Sequence, residues 1–199
     1  MTARLAILLS GSGRTLLNIH AHQQDLDATI TRVIASRECL GVERACDLKL
    51  PTQVIPGEIA AAQLESIAAH ADLLILAGYL RRIHVPPSLA DRILNIHPAP
   101  LSIRDADGSP RFGGRGMWGH HVHNAVLEAF RAGDMPHSGC TVHVVDDEYD
   151  HGPTILERHC PILPTDTPDA LAARVFELEQ EAYPEAIALH LATLGRESR

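Results

Sequence analysis

The sequence predicts an α/β fold in which a mostly parallel, twisted sheet carries helices on both faces and ends in an antiparallel pair of strands. Three observations predict it. Short runs of branched apolar residues without polar alternation recur through the first hundred residues, as in strands buried on both faces. Stretches of helical spacing lie between them, and alternating strands and helices build parallel sheets. Two β-rich runs in the second half are joined only by "EYDHGP", whereas a parallel crossover needs about a dozen residues or more.

In chain order, "LAILL" (5–9) is the first strand, followed by a Gly/Ser turn and a helix through Leu16 and His20. "ITRVIAS" (30–36), "TQVI" (52–55), "LLILAG" (73–78) and "ILNIH" (93–97) continue the sheet. Between them come "GVERACDLKL", the Ala-rich "GEIAAAQLESIAAHA" and "YLRRIHVPPSLADR". Residues 99–119, "APLSIRDADGSPRFGGRGMWG", show no periodicity, and so long a loop in a compact domain is usually functional or mobile. "HHVHNAVLEAFRAGD" (120–134) reads as helix, and "CTVHVVDD" and "TILERHCPIL" as the antiparallel pair. The last helix starts at Pro168 with Thr167 as N-cap, and Pro184 is expected to kink or divide it. With 199 residues and no linker, one domain is expected over residues 1–199, with halves 1–98 and 99–199.

Seventeen scattered Lys and Arg against 25 Asp and Glu give a net charge of -8, which leaves no electrostatic footprint for nucleic acid. A small phosphorylated ligand remains compatible, since a few backbone amides and one or two arginines suffice to hold it. The four cysteines form no C-x-x-C, which points to reduced thiols. No apolar run approaches the roughly 20 residues of a membrane helix, and "MTARLAILLSGSG" is too short in its apolar part for a secretory signal. A cytoplasmic location is expected, with no membrane or nucleic-acid partner and with a monomer or weak homodimer as the assembly. Of 13 histidines, His120, His121 and His123 crowd one helix start, but without H-E-x-x-H or a neighbouring Cys or carboxylate at ligand spacing. They read as surface and supporting groups, and no metal is expected.

Three motifs carry chemistry. "SGSGRT" (10–15) closes a strand and opens a helix, where free N–H groups hold anions. It lacks the third glycine of a dinucleotide fingerprint and the first glycine of a Walker A loop, and a plain tight turn explains it equally well. "NIH" (95–97) places Asn95 and His97 on one side of a strand, at the carboxyl edge where open parallel sheets bind ligands. "DDEYDHGP" (146–153) is an acid-rich turn with Asp150 before His151-Gly152-Pro153.

Together with "LAGYLRRI", "GHHVHNAVLEA" and "AARVFELEQEAYP", these segments resemble, in order and over nearly the whole chain, the folate-dependent phosphoribosylglycinamide formyltransferase family. The resemblance implies a Rossmann-like formyltransferase fold. It also implies formyl transfer from 10-formyltetrahydrofolate, as co-substrate, to the glycinamide amine of 5-phosphoribosylglycinamide, a step of purine synthesis, without a metal. By the same pattern Asn95, His97 and Asp150 match the catalytic trio, with His143 supporting them from the neighbouring strand. Gly11, Ser12, Gly13, Arg14 and Thr15 would hold the ribose 5-phosphate, and Glu179 the ribose or glycinamide end. Leu80, Arg81, Ile83 and Ile93, with the turn of Asp146, Asp147 and Asp150, would hold the folate. The first half would thus bind phosphate, and the second would complete the folate and catalytic site.

The chemistry fits the trio. An amine attacking a formyl amide makes a tetrahedral carbon with an anionic oxygen and a cationic nitrogen, so it needs a donor at one and a proton acceptor at the other. Asn95 can donate to the oxygen; His97, as imidazolium if Asp150 is close, can stabilise the same oxygen and protonate the leaving folate nitrogen; and Asp150 can hold that imidazolium and help remove the amine proton. The chain departs from the family pattern at Arg14-Thr15, where Ser-Asn is usual, in the length of the 99–119 loop, and at Phe176, where a polar contact is usual. The "GGRGMWG" part of the loop resembles a variant lid of one family branch. Competing readings are a formyltransferase acting on methionyl-tRNA or an amino sugar, a formyltetrahydrofolate hydrolase, and a non-catalytic nucleotide-binding module.

Overall fold

The computed structural model describes residues 2–197. Its strands are β1 (Ala3–Leu9), β2 (Ala28–Ala35), β3 (Thr52–Val54), β4 (Leu73–Leu76), β5 (Ile93–His97), β6 (His137–Val144) and β7 (Thr154–Pro161). The helices are α1 (Arg14–Ala21), α2 (Leu40–Asp47), α3 (Ala61–Ala68), α4 (His120–Ala132) and α5 (Pro168–Glu197), with one 3-10 turn at Pro87–Leu89. The strands form one sheet of order β3-β2-β1-β4-β5-β6-β7. The pairings β1–β2, β1–β4, β2–β3 and β4–β5 are parallel, and β6–β7 is antiparallel as the short connection requires.

The chain divides into two compact units, residues 1–95 with 190–199, and residues 96–189. In the first, Leu5 to Leu9 all have zero exposure. Since successive strand residues face opposite ways, both faces of the sheet are covered at β1. In the second, one core joins Val122, Val126 and Leu127 of α4, Cys140 of β6, and Leu171 and Val175 of α5. The 3.6-residue period of "HHVHNAVLEAF" sets that face: residues 122, 123, 126 and 127 are buried together.

α5 begins as its sequence dictates, with Thr167 Oγ1 accepting the Ala170 N–H at 3.2 Å. Arg174 then binds Asp166 through two N–H···O contacts of 2.7 and 2.9 Å, and Asp166 also accepts the Leu163 N–H at 2.8 Å. The expected division at Pro184 does not occur: the helix runs unbroken from residue 168 to 197. Pro184, Ala182, Tyr183, Ala186 and Ile187 are all buried, and packing of this stretch outweighs the lost backbone hydrogen bond. No helix among the described residues is long and apolar enough to cross a membrane.

Candidate active site

In the first unit, β1 delivers the Gly/Ser turn. Ser10 is buried; its Oγ accepts the Leu80 N–H at 2.9 Å and the Ser36 hydroxyl at 2.7 Å, tying the turn to two other strand ends. Gly13 is the N-cap of α1 with φ 74°, and a Cβ there would lie 2.7 Å from the Gly41 Cα. Only glycine tolerates both that conformation and that approach. α1 has no side-chain cap and no acid in its first turn, which leaves its N-terminus electrostatically open to an anion. Gly11 and Thr15 are half-buried, and Ser12 and Arg14 exposed, so the turn is accessible.

Of the residues assigned to the folate in this unit, Leu80 and Arg81 are exposed and Ile83 is buried. Ile93 has no exposure; it pairs with Leu74 inside the sheet and backs the strand without presenting a surface. Asn95 is half-buried near the end of β5.

In the second unit β5 ends at His97, only 3 % exposed. Its Nδ1 lies 3.4 Å from Asp150 Oδ2, so the expected meeting of these two residues is observed. Its Nε2 lies 2.6 Å from the Phe112 carbonyl oxygen. A carbonyl only accepts, so Nε2 carries a hydrogen and Nδ1 is the nitrogen turned to the carboxylate. Asp150 sits at φ 54°, in the left-handed region where Asp is among the few tolerated side chains. It also accepts the Gly114 N–H at 2.9 Å and faces His143 Nε2 at 3.5 Å. His143 is buried, with Nδ1 held at 2.9 Å by the Val144 carbonyl.

Burial pushes the His97 imidazole below its ordinary range, and this outweighs the upward pull of Asp150 and of the Phe112 carbonyl. Desolvation therefore favours the neutral ring, and an imidazolium here depends on the Asp150 carboxylate. Burial acts to raise the Asp150 carboxyl, but His143, His97 and the Gly114 N–H together hold it below the usual carboxylate range. A carboxylate thus faces a neutral imidazole, an arrangement that gains an N–H···O bond by accepting one proton.

The acid-rich turn is shaped locally. Asp146 Oδ1 accepts the Glu148 N–H at 2.9 Å; Asp147 is exposed. A Cβ on Gly152 would come within 2.0 Å of the Val144 carbonyl oxygen, so glycine closes the hairpin that carries Asp150. Glu179 is half-buried on α5, close enough to Cys140 to contribute, after burial, to the raised pKa of its thiol. Phe176 is half-buried on the same helix.

Sequence reasoning missed the Phe112 carbonyl and the Gly114 amide, both inside the aperiodic loop; the "FGG" run was the only available signal. The loop is anchored at its start, where Ser102 donates through N–H and hydroxyl to Glu157 at 3.0 and 2.6 Å and Leu101 N–H donates to Thr141 Oγ1 at 3.0 Å. His123, read as a surface or supporting residue, is buried, and its Nδ1 has no partner among the described residues. Burial first, then His120 and His97, push it down to about 4. Among the described residues no group of three or more His, Cys, Asp or Glu could hold a metal ion.

The formyl transferase family profile matches residues 3–187. The chain belongs to the formyl transferase family. Among curated relatives of this formyl transferase, the phosphoribosylglycinamide formyltransferase of Haemophilus influenzae is 32 % identical, with 92 % of this chain and 85 % of that protein covered. The chloroplastic phosphoribosylglycinamide formyltransferase of Arabidopsis thaliana is 33 % identical over 92 % of this chain. The chain spans 64 % of that relative's length and 59 % of its Vigna unguiculata counterpart. Among solved structures, glycinamide ribonucleotide transformylase 1 of Symbiobacterium toebii superposes with a TM-score of 0.76 at 32 % identity, covering 94 % of this chain and 86 % of that one. Its namesake from Geobacillus kaustophilus gives 0.74 at 31 % identity, covering 95 % and 98 %. These neighbours share the α/β Rossmann-like fold predicted for this formyl transferase.

Proposed function

We propose that this formyl transferase moves the formyl group of 10-formyltetrahydrofolate to the glycinamide amine of 5-phosphoribosylglycinamide. The observation that carries the reading is the buried His97–Asp150 contact at the end of β5, in a family member whose relatives bear that activity in their names. Gly11 to Thr15 bind the ribose phosphate, and Glu179 binds the ribose or glycinamide end. Leu80, Arg81 and Ile83, backed by Ile93, and the turn of Asp146, Asp147 and Asp150 bind the folate.

Both nitrogens of His97 are engaged, Nε2 with Phe112 and Nδ1 facing Asp150. The donor to the developing oxyanion is therefore the Asn95 amide. His97 and Asp150 act as a unit that accepts the amine proton, directly or through water. The proton settles between Nδ1 and Oδ2, replacing a lone pair facing a carboxylate by a charge-assisted hydrogen bond, and passes to the folate nitrogen as the bond between it and the formyl carbon breaks, so that the tetrahydrofolate leaves as a neutral amine and the pair returns to its starting state. His143 and the Gly114 amide keep the carboxylate in place. No step requires a metal, and residues 1–199 act as one catalytic domain in the cytoplasm.

The test follows the absorbance of deformylated folate, with and without the ribonucleotide. Release only when ribonucleotide is present supports the reading. Release without it would instead mean hydrolysis, and no release under either condition would leave a binding module.

A further inference from the structure

The Gly11–Thr15 turn is gripped from behind. Arg37 Nε donates to the Ser10 carbonyl at 2.8 Å, the Gly41 N–H to the Gly11 carbonyl at 3.0 Å, and Arg44 Nη1 to the Ser12 carbonyl at 2.8 Å. Three successive carbonyls are thus drawn to the β2–α2 connection and α2. In a trans peptide each carbonyl points opposite to the N–H of the next residue. The N–H groups of Gly11, Ser12 and Gly13 are consequently turned the other way, and none of the three has a hydrogen-bond partner among the described residues. They continue into α1, whose first turn lacks both a side-chain cap and an acid.

We propose that Arg37 and Arg44 are positioning residues for the substrate's phosphate. They do so by fixing the carbonyl side of the turn, so that its amides stand aligned before the anion arrives. This inference rests on the reading of Gly11–Thr15 as the phosphate site and adds residues which that reading does not contain. Two features support it. Arg37 is exposed and Arg44 half-buried on an eight-residue helix, yet each places a charged donor on a turn carbonyl in place of solvent. The two guanidinium groups also bring positive charge beside the turn in a chain of net charge -8, favouring a dianionic phosphate by proximity. Preorganised amides are worth more than mobile ones, because the cost of ordering them is met during folding and not during binding.

The experiment compares wild type with Arg37→Met and Arg44→Met on two acceptors: the 5-phosphorylated ribonucleotide and the same compound without its phosphate. Folding of each variant is checked by its thermal midpoint. The expected result is that the ratio of kcat/KM for phosphorylated over dephosphorylated acceptor falls about tenfold in each variant, the size of one lost charge-assisted contact. Inhibition by inorganic phosphate should weaken in parallel. If kcat/KM falls equally on both acceptors, or on neither, the two arginines do not act through the phosphate and the inference is overturned alone. If wild type itself shows no preference for the phosphorylated acceptor, the phosphate-site reading falls and takes the inference with it.

Discussion

Replacing Asp150 by Asn separates the chemistry of this residue from its place in the fold. Asp150 has φ 54°, accepts the Gly114 N–H at 2.9 Å, and faces His97 Nδ1 at 3.4 Å and His143 Nε2 at 3.5 Å. Asn tolerates the left-handed conformation, its oxygen in the place of Oδ2 can still accept from Gly114, and its Nδ2 in the place of Oδ1 can donate to His143 Nε2. Stability should change by less than about 1 kcal/mol. The variant can no longer take a proton, and losing a general base typically lowers rate by about 10² to 10⁴, or roughly 2.7 to 5.5 kcal/mol in the barrier. Asp150→Ala provides the contrast. It adds about 1–2 kcal/mol for an alanine at positive φ and leaves the Gly114 donor unmet at about 1–3 kcal/mol, so it should be less stable than Asn by about 2–5 kcal/mol. Steady-state formyl transfer measures the first effect and urea unfolding the second. A kcat for Asp150→Asn within threefold of wild type would refute the proton-acceptor role, and equal stability of the Asn and Ala variants would refute the conformational argument.

Three further outcomes are expected. His123 is pushed down to about 4 by burial while an unfolded histidine titrates near about 6.5. Stability is therefore complete above pH 6.5 and is lost as pH falls toward 4, by up to about 2–3 kcal/mol, and urea unfolding of His123→Phe should show a shallower slope over that window. Arg174→Met strands Asp166, whose side chain is 3 % exposed, and should cost about 1–3 kcal/mol, visible in the thermal midpoint. Gly152→Ala forces the hairpin away from the Val144 carbonyl; a cost of about 2–3 kcal/mol together with slower transfer is expected, and normal kinetics would show that the Asp150 turn tolerates the shift.

Much of this architecture was legible in the residues. "LAILL" and "LLILAG" form β1 and β4 because runs of that composition are stable only when covered on both faces. The nine residues between β6 and β7 are too few for a parallel crossover and dictated antiparallel pairing, and Thr167-Pro168 fixed where α5 starts. The period of α4 also carried a signal that was not used: His123 lies one residue from Val122 and three from Val126, on the buried face. Burial of Ile93 follows from its pairing partner, which no local pattern identifies.

The sequence by itself determined the order and kind of the elements and placed an amide and an imidazole two residues apart on β5, because backbone periodicity and turn chemistry are local. Only tertiary structure decided the state of that imidazole. The Phe112 carbonyl, the Gly114 amide and the Asp150 carboxylate reach His97 or each other across 15 to 53 positions of chain, and their desolvation depends on how the core closes over them. Proton affinity is a property of that enclosure, so the same His97 in an open loop would have titrated as an ordinary histidine.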